Sequence, residues 1–167
     1  SRKLILFATG FANADRKGFT LPEAPPGNPI HDELCMRDAI LRQEWLVAVK
    51  ELAESGKYNI LVRPHHGENL SLYQMPSIVV SVGGSAGDSL YYSDILIHSG
   101  STMAVEAHIL NKPAFRFGNT AQDELIRDVS PHCETKTNLI AAIENVEFGK
   151  SNALISCFDD LKKHFYG

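Results

Sequence analysis

Asp94-Ile95-Leu96-Ile97-His98-Ser99-Gly100-Ser101-Thr102-Met103-Ala104-Val105-Glu106-Ala107 decides the fold of this chain. The apolar run Ile95 to Ile97 reads as a buried strand, and small hydroxyl residues follow it at once. The next stretch is periodic and predicts a helix from about Thr102 to Leu110. A strand that turns sharply into a helix is expected to leave the first helical N–H groups unpaired above the sheet. Those groups and the helix dipole favour an anion. Ser101 or Thr102 can cap the helix, and Glu106 falls about one turn further in. The segment therefore reads as a phosphate seat (Ser99, Gly100, Ser101, Thr102) with a carboxylate beside it. The plainer reading competes evenly: Ser and Thr at a helix start are common N-caps, and Glu106 could face solvent.

Further short apolar runs surround this unit. Lys3 to Thr9 predicts a central strand, Asn59 to Arg63 a second, Ser77 to Val82 a third and Ala114 to Phe117 a fifth. Helical spacing over Asp32 to Glu54 places Leu34, Ile40, Leu41, Trp45, Val49 and Leu52 on one face, with Asp32 as N-cap and Gly56 as the stop. Asp88–Ser93, Gln122–Val129, Lys136–Glu144 and the tail Asp159–Phe165 read as further helices. Residues 11–31, rich in Gly and Pro, form a long loop. Strands alternating with helices imply βαβ units and a mainly parallel sheet covered on both faces. Ligands of such sheets lie beyond the carboxyl ends of the strands.

At 167 residues one domain is expected, long enough to bury a core without metals or disulfides. A net charge of −4 and no basic run exclude a general nucleic-acid binder, but a small anion needs only local positive potential. Cys35, Cys133 and Cys157 are widely spaced and odd in number, which favours reduced thiols and a cytoplasmic protein. No apolar stretch approaches the roughly 20 residues of a membrane span. The chain runs from Ser1 into a strand within three residues, so it reads as a piece of something longer.

The second informative stretch is Arg63-Pro64-His65-His66-Gly67-Glu68, at a strand end. Arg63 either grips a phosphate with its planar fork or pairs with a carboxylate. His65 either donates to phosphate and moves a proton or is a solvated loop residue. Adjacent His65 and His66 should point apart along extended backbone, and no cysteine pair has zinc spacing, so no metal is expected. His98 either faces the site or is a buried, hydrogen-bonded histidine. Gly83-Gly84-Ser85-Ala86-Gly87 fails the dinucleotide spacing and reads as a flexible loop. Gly10 to Gly18 reads as polar and mobile.

Ile60-Leu61-Val62-Arg63-Pro64-His65 with Glu68, then Tyr92 to Ser99 and Ser101 to Pro113, resembles the C-terminal half of GT-B enzymes. Bacterial surface-carbohydrate biosynthesis proteins are the nearest likeness, and the teichoic-acid glycerophosphotransferases come next. The resemblance covers residues 58 to 118 well and the opening strand loosely. It implies a Rossmann-like three-layer sandwich, one half of a GT-B fold, with residues 1–167 as one nucleotide-sugar-binding domain. It further implies that the Ser99–Thr102 turn seats a diphosphate and that Glu106 bonds ribose hydroxyls. Arg63 and His65 would contact phosphate or assist the leaving group, while Glu68 and His98 line the site. No cofactor is implied. The implied partners are a nucleotide-activated sugar and a saccharide or lipid-linked acceptor, with peripheral membrane association of the full-length protein. The glycerophosphotransferase turn usually carries an aspartate where His98 and Gly100 stand here, which leaves the donor open. A nucleotide-sugar 2-epimerase and a non-catalytic sugar-phosphate-binding module are the alternatives. A flavodoxin-like reading is weaker, because Gly10 to Ala14 lacks a dense Ser/Thr phosphate loop.

Overall fold

A computed structural model describes residues 2–15, 29–118 and 124–146 of the chain. Six strands form one parallel sheet: β1 (Lys3–Ala8), β2 (Tyr58–Arg63), β3 (Ile78–Val80), β4 (Ile95–His98), β5 (Ala114–Phe117) and β6 (His132–Cys133). Their order is β3-β2-β1-β4-β5-β6. The chain first builds outward from β1 through β2 to β3, then crosses back to β4 on the other side of β1. The direction therefore reverses between β1 and β4, and the loops leaving these two strands part there.

The helices are α1 (Pro29–Glu54), α2 (Ala86–Tyr92), α3 (Met103–Ile109), α4 (Glu124–Val129) and α5 (Lys136–Glu144). They cover both faces of the sheet. On one face Ile5, Phe7, Ile60, Val62, Ile95 and Ile97 pack under Leu41, Trp45, Val49 and Leu52 of α1 and Leu139 and Ile143 of α5. On the other, Leu6, Ala8, Leu96 and Ala114 meet Leu90 of α2 and Met103 and Ala107 of α3. The central strands are buried on both sides, which is why they read as continuous apolar runs. The fold is a Rossmann-like α/β three-layer sandwich.

Several boundaries differ from the sequence expectation. α1 begins at Pro29, so Asp32 sits in its first turn rather than capping it; proline's fixed φ suits a helix start. Leu34 and Ile40 are 36% and 58% exposed, and the buried stripe runs instead through Cys35, Asp38, Leu41, Trp45, Ala48 and Leu52. β3 is only three residues long, because Ser77 adopts a left-handed φ of 65° just before it. β6, two residues long, was not expected. Gly56 ends α1 as foreseen, with φ 66°. The expected tail helix and Cys157 lie outside the described residues. No helix among the described residues is long and apolar enough to cross a membrane.

Gly118 closes the carboxyl end of β5. Its φ is 91°, and a Cβ there would lie 2.0 Å from Leu41 Cδ1, so only glycine lets β5 leave the sheet against α1.

Candidate functional site

Three loops meet at the carboxyl edge beside the switch point: residues 9–15 after β1, 64–73 after β2, and 99–102 after β4. Arg63 and His98 pair with the same residue, Ala8, from opposite sides. The two expected strand tips are thus on one rim with β1 between them, about two strand spacings or roughly 10 Å apart. The β1 loop fills the interval. A Cβ on Gly10 would lie 2.9 Å from Ser99 Oγ, and one on Gly67 would lie 3.2 Å from Ala12 Cβ.

Glu68 organises this rim. Its Oε1 accepts from Thr9 Oγ1 at 2.7 Å, the Phe11 N–H at 3.1 Å and the His65 N–H at 3.0 Å. Its Oε2 accepts from the Tyr73 hydroxyl, where the chain forms a 3-10 turn (Leu70–Tyr73). Burial first, and then the bond to Glu68, push the Tyr73 phenol well above its ordinary pKa. Glu68 is 7% exposed, so this carboxylate is a clamp between two strand ends. Asp15 does the same nearby: it pairs with Arg42 of α1 and accepts from the Asn69 N–H at 2.8 Å. Asn13 Nδ2 donates to buried Asp38 at 2.9 Å. The loop expected to be mobile from Gly10 to Gly18 is instead pinned over its described part by the side chains of Thr9, Asn13 and Asp15 and by the Phe11 amide; Arg16 to Gly18 lie outside the described residues.

Arg63 neither points to open solvent nor meets a carboxylate among the described residues. Its guanidinium donates to Ser81 Oγ at 3.2 Å, Ser89 Oγ at 3.3 Å, the Gly83 carbonyl at 3.0 Å and the Gly84 carbonyl at 2.9 Å. The Gly83-Gly84 loop, with φ of 90° and 67°, is therefore folded around a cation whose charge stays uncompensated there. Ser85 caps α2 by accepting from the Asp88 N–H at 3.0 Å.

His65 and His66 do not point apart. Their rings lie 4.0 Å between centroids, because the backbone turns at this point instead of continuing as a strand. The His65 carbonyl accepts from the Glu68 N–H at 2.9 Å, closing that turn. His65 Nδ1 accepts from the Gly67 N–H at 3.3 Å, which puts the ring proton on Nε2. His65 is exposed. Among the described residues no cluster of three or more His, Cys, Asp or Glu could hold a metal ion.

The turn after β4 departs most from expectation. Its Gly100, Ser101 and Met103 amides are not left open. His98 Nδ1 accepts from the Gly100 N–H at 3.0 Å and the Ser101 N–H at 3.2 Å. Ser101 Oγ accepts from the Met103 N–H at 3.2 Å, while Thr102 makes no side-chain cap. The Ala104 and Val105 amides bond the Ser101 and Thr102 carbonyls. Three of the amides expected to lie open, those of Gly100, Ser101 and Met103, are thus engaged by His98 and Ser101. What the turn offers outward is hydroxyl groups, on Ser99 and exposed Thr102. Glu106 is exposed on α3, and its carboxylate has no partner among the described residues.

His98 is completely buried, and its Nε2 has no hydrogen-bond partner among the described residues. The side chain of Arg116, one strand over and in register, is buried too, and its Nε likewise finds no acceptor among them. Burial first, then the Arg116 charge, hold the His98 pKa down at about 4. In the unfolded chain this imidazole takes a proton near its ordinary value of 6.5, whereas the fold resists protonation until about 4. Its stability contribution is full above pH 6.5, falls as pH drops toward 4 and then levels off, a loss on the order of 3 kcal/mol. We expect His98→Asn, which keeps an acceptor near the Nδ1 position, to flatten this part of the profile. Urea unfolding of both proteins at pH 7 and 4.5 measures it; equal losses in the two would contradict the assignment.

No family profile matches the chain, and no curated sequence relative does either. Among solved structures, the UDP-GlcNAc 2-epimerase from Neisseria meningitidis, crystallised with UDP-GlcNAc, aligns with a TM-score of 0.57 at 14% identity, over 97% of this chain and 45% of that one. The β-Kdo 2,4 transferase KpsC of Thermosulfurimonas dismutans aligns at 0.41 and 17% identity, over 84% of this chain and 44% of that one, too loosely to bear on the fold. The chain spans less than half the length of either protein. What the chain shares with the epimerase is its fold, the Rossmann-like three-layer sandwich.

Proposed function

We propose that this chain is the donor-binding half of a GT-B-type glycosyltransferase of surface polysaccharide biosynthesis, and that it holds a nucleotide-activated sugar at the β1–β2–β4 rim. What supports this reading is that Arg63, His65, Ser99, Thr102 and Glu106 all belong to the strand ends and helix start along one edge of the sheet, with Arg63 held by Ser81, Gly83, Gly84 and Ser89 and by no carboxylate among the described residues, and with Glu106 exposed. Cationic and N–H groups on one side suit a diphosphate. A free carboxylate one helical turn away suits the ribose hydroxyls. When the acceptor hydroxyl attacks the anomeric carbon, the C–O bond to the nucleotide breaks and negative charge grows on the departing phosphate. Arg63 and the His65 N–H stabilise that charge without a metal ion. Glu68 acts indirectly, by fixing where His65 and the β1 loop stand. The acceptor, a saccharide or a lipid-linked sugar, belongs to a facing domain outside this chain.

A 2-epimerase-like enzyme is the second reading, favoured by the end-to-end alignment of this chain with one half of such an enzyme. It would use the same pocket but eliminate the nucleotide rather than transfer the sugar.

Thermal unfolding with UDP, CDP, CMP and their sugar conjugates tests the pocket. A ligand at 100 times its dissociation constant should add about 2.7 kcal/mol of stability. Glu106→Ala should weaken nucleotide-sugar binding by about tenfold, the size of one charged hydrogen bond. No shift with any nucleotide would end the proposal. Product analysis with the intact parent protein separates transfer from epimerisation.

A further inference from the structure

The last full rung of the sheet runs Arg63, Ala8, His98, Arg116 and His132, each in register with the next. Residues in register on parallel strands project to the same face. This face is the one covered by α2 and α3. The rung thus sets four basic side chains and one alanine beneath the site. No carboxylate among the described residues pairs with either arginine.

Two groups on this rung lack what buried donors ordinarily have. His98 Nε2 and Arg116 Nε are sealed from solvent without an acceptor among the described residues, on residues that are 0% and 7% exposed. Because His98 Nδ1 accepts two amide protons, the ring proton sits on Nε2, which is therefore a donor. Two buried donors on adjacent strands, one of them part of a guanidinium, call for a charged acceptor. At the helix start above, the Gly100, Ser101 and Met103 amides are already bonded to His98 and Ser101.

We propose that His98 and Arg116 form an oxyanion subsite that takes a phosphate group, bound by the side chains of the rung rather than by helix amides. The naming of that group as the donor's phosphate rests on the proposed function; the anion chemistry does not. Both donor atoms are sealed, so the subsite requires the Ser99–Thr102 turn, which His98 Nδ1 holds through the Gly100 and Ser101 amides, to open before an oxyanion can reach them.

Inorganic pyrophosphate is the probe. In wild-type protein, long-range proton–nitrogen spectra of the histidine rings should show His98 Nε2 shifting on titration. The Gly100 and Ser101 amides should move on the same curve. By calorimetry, Arg116→Lys should weaken pyrophosphate by about tenfold or more, because lysine cannot place the Nε–H. A change at exposed Arg37 should leave affinity unaltered. Absence of pyrophosphate binding, static His98 signals at saturation, or equal affinity in Arg116→Lys each overturns the subsite. The wild-type spectra stand alone if the variant fails to fold. UDP binding that ignores Arg116→Lys would remove the subsite and leave the donor pocket. Pyrophosphate binding that depends on Arg116, with no response to any nucleotide sugar, would retain the subsite and remove the donor reading.

Discussion

Replacing Glu68 with alanine should destabilise the protein by about 3–5 kcal/mol, because several buried donors lose their acceptor at once. The Thr9 hydroxyl, the Phe11 and His65 amides and the Tyr73 hydroxyl all converge on this carboxylate. Thr9 and Tyr73 are 9% and 1% exposed, so water cannot readily replace it. Glu68→Gln separates shape from charge. Three of the donors use Oε1, and only Tyr73 uses Oε2. A glutamine oxygen can keep the first three, while its NH2 group donates to a Tyr73 hydroxyl that now accepts. The glutamine variant should therefore lose only about 1 kcal/mol. Urea unfolding at neutral pH gives both numbers. Near-equal losses, or an alanine variant within about 1 kcal/mol of wild type, would show that the clamp does not hold the rim together.

Trp45→Ala should cost about 4 kcal/mol, in the range of a fully buried large aromatic. Trp45 is 0% exposed and supports the rim from below. Its ring lies 5.6 Å from Phe7 of β1, 5.2 Å from Phe11 of the β1 loop and 5.7 Å from Phe117 at the end of β5. Its Nε1–H donates to the Phe117 carbonyl at 3.2 Å. Trp45→Phe keeps most of the packing and loses that bond, so about 1–2 kcal/mol should go. Because Phe11 rides on a site loop, the alanine variant should also weaken any ligand held at the rim. Denaturant midpoints give the first effect and ligand titration the second. A stable alanine variant with unaltered binding would mean that α1 does not support the site.

The parallel sheet could be read from the sequence because its inner strands bury both faces. β1, β2, β4 and β5 are short apolar runs ended by Gly10, Pro64, Ser99 and Gly118. β6 could not, since two residues carry no period. The face of α1 was partly legible: Leu41, Trp45, Val49 and Leu52 point inward, but Leu34 and Ile40 are exposed, and polar Asp38 takes a buried place beside Asn13. At the candidate site, the sequence placed the β2 and β4 ends on one rim, where they flank Ala8, and left their wiring hidden. Glu68 looked like a ligand contact because its acceptor role depends on Thr9, which is 59 residues away. The helix-start amides looked open because nothing in the run Ser99 to Thr102 shows that His98 turns its Nδ1 back onto them. Arg116 escaped notice altogether. It sits in an apolar strand with no motif around it, and only the register with His98 gives it meaning.

The most direct measurement of the shared pocket is an amide-resolved NMR titration of this chain with UDP- and CMP-activated sugars. Residues 9–12, 63–68 and 98–106 should shift together on one saturable curve, with α1's outer face unmoved. Shifts confined to other parts of the fold, or separate curves for the β2 and β4 loops, would contradict a single donor site at the switch point.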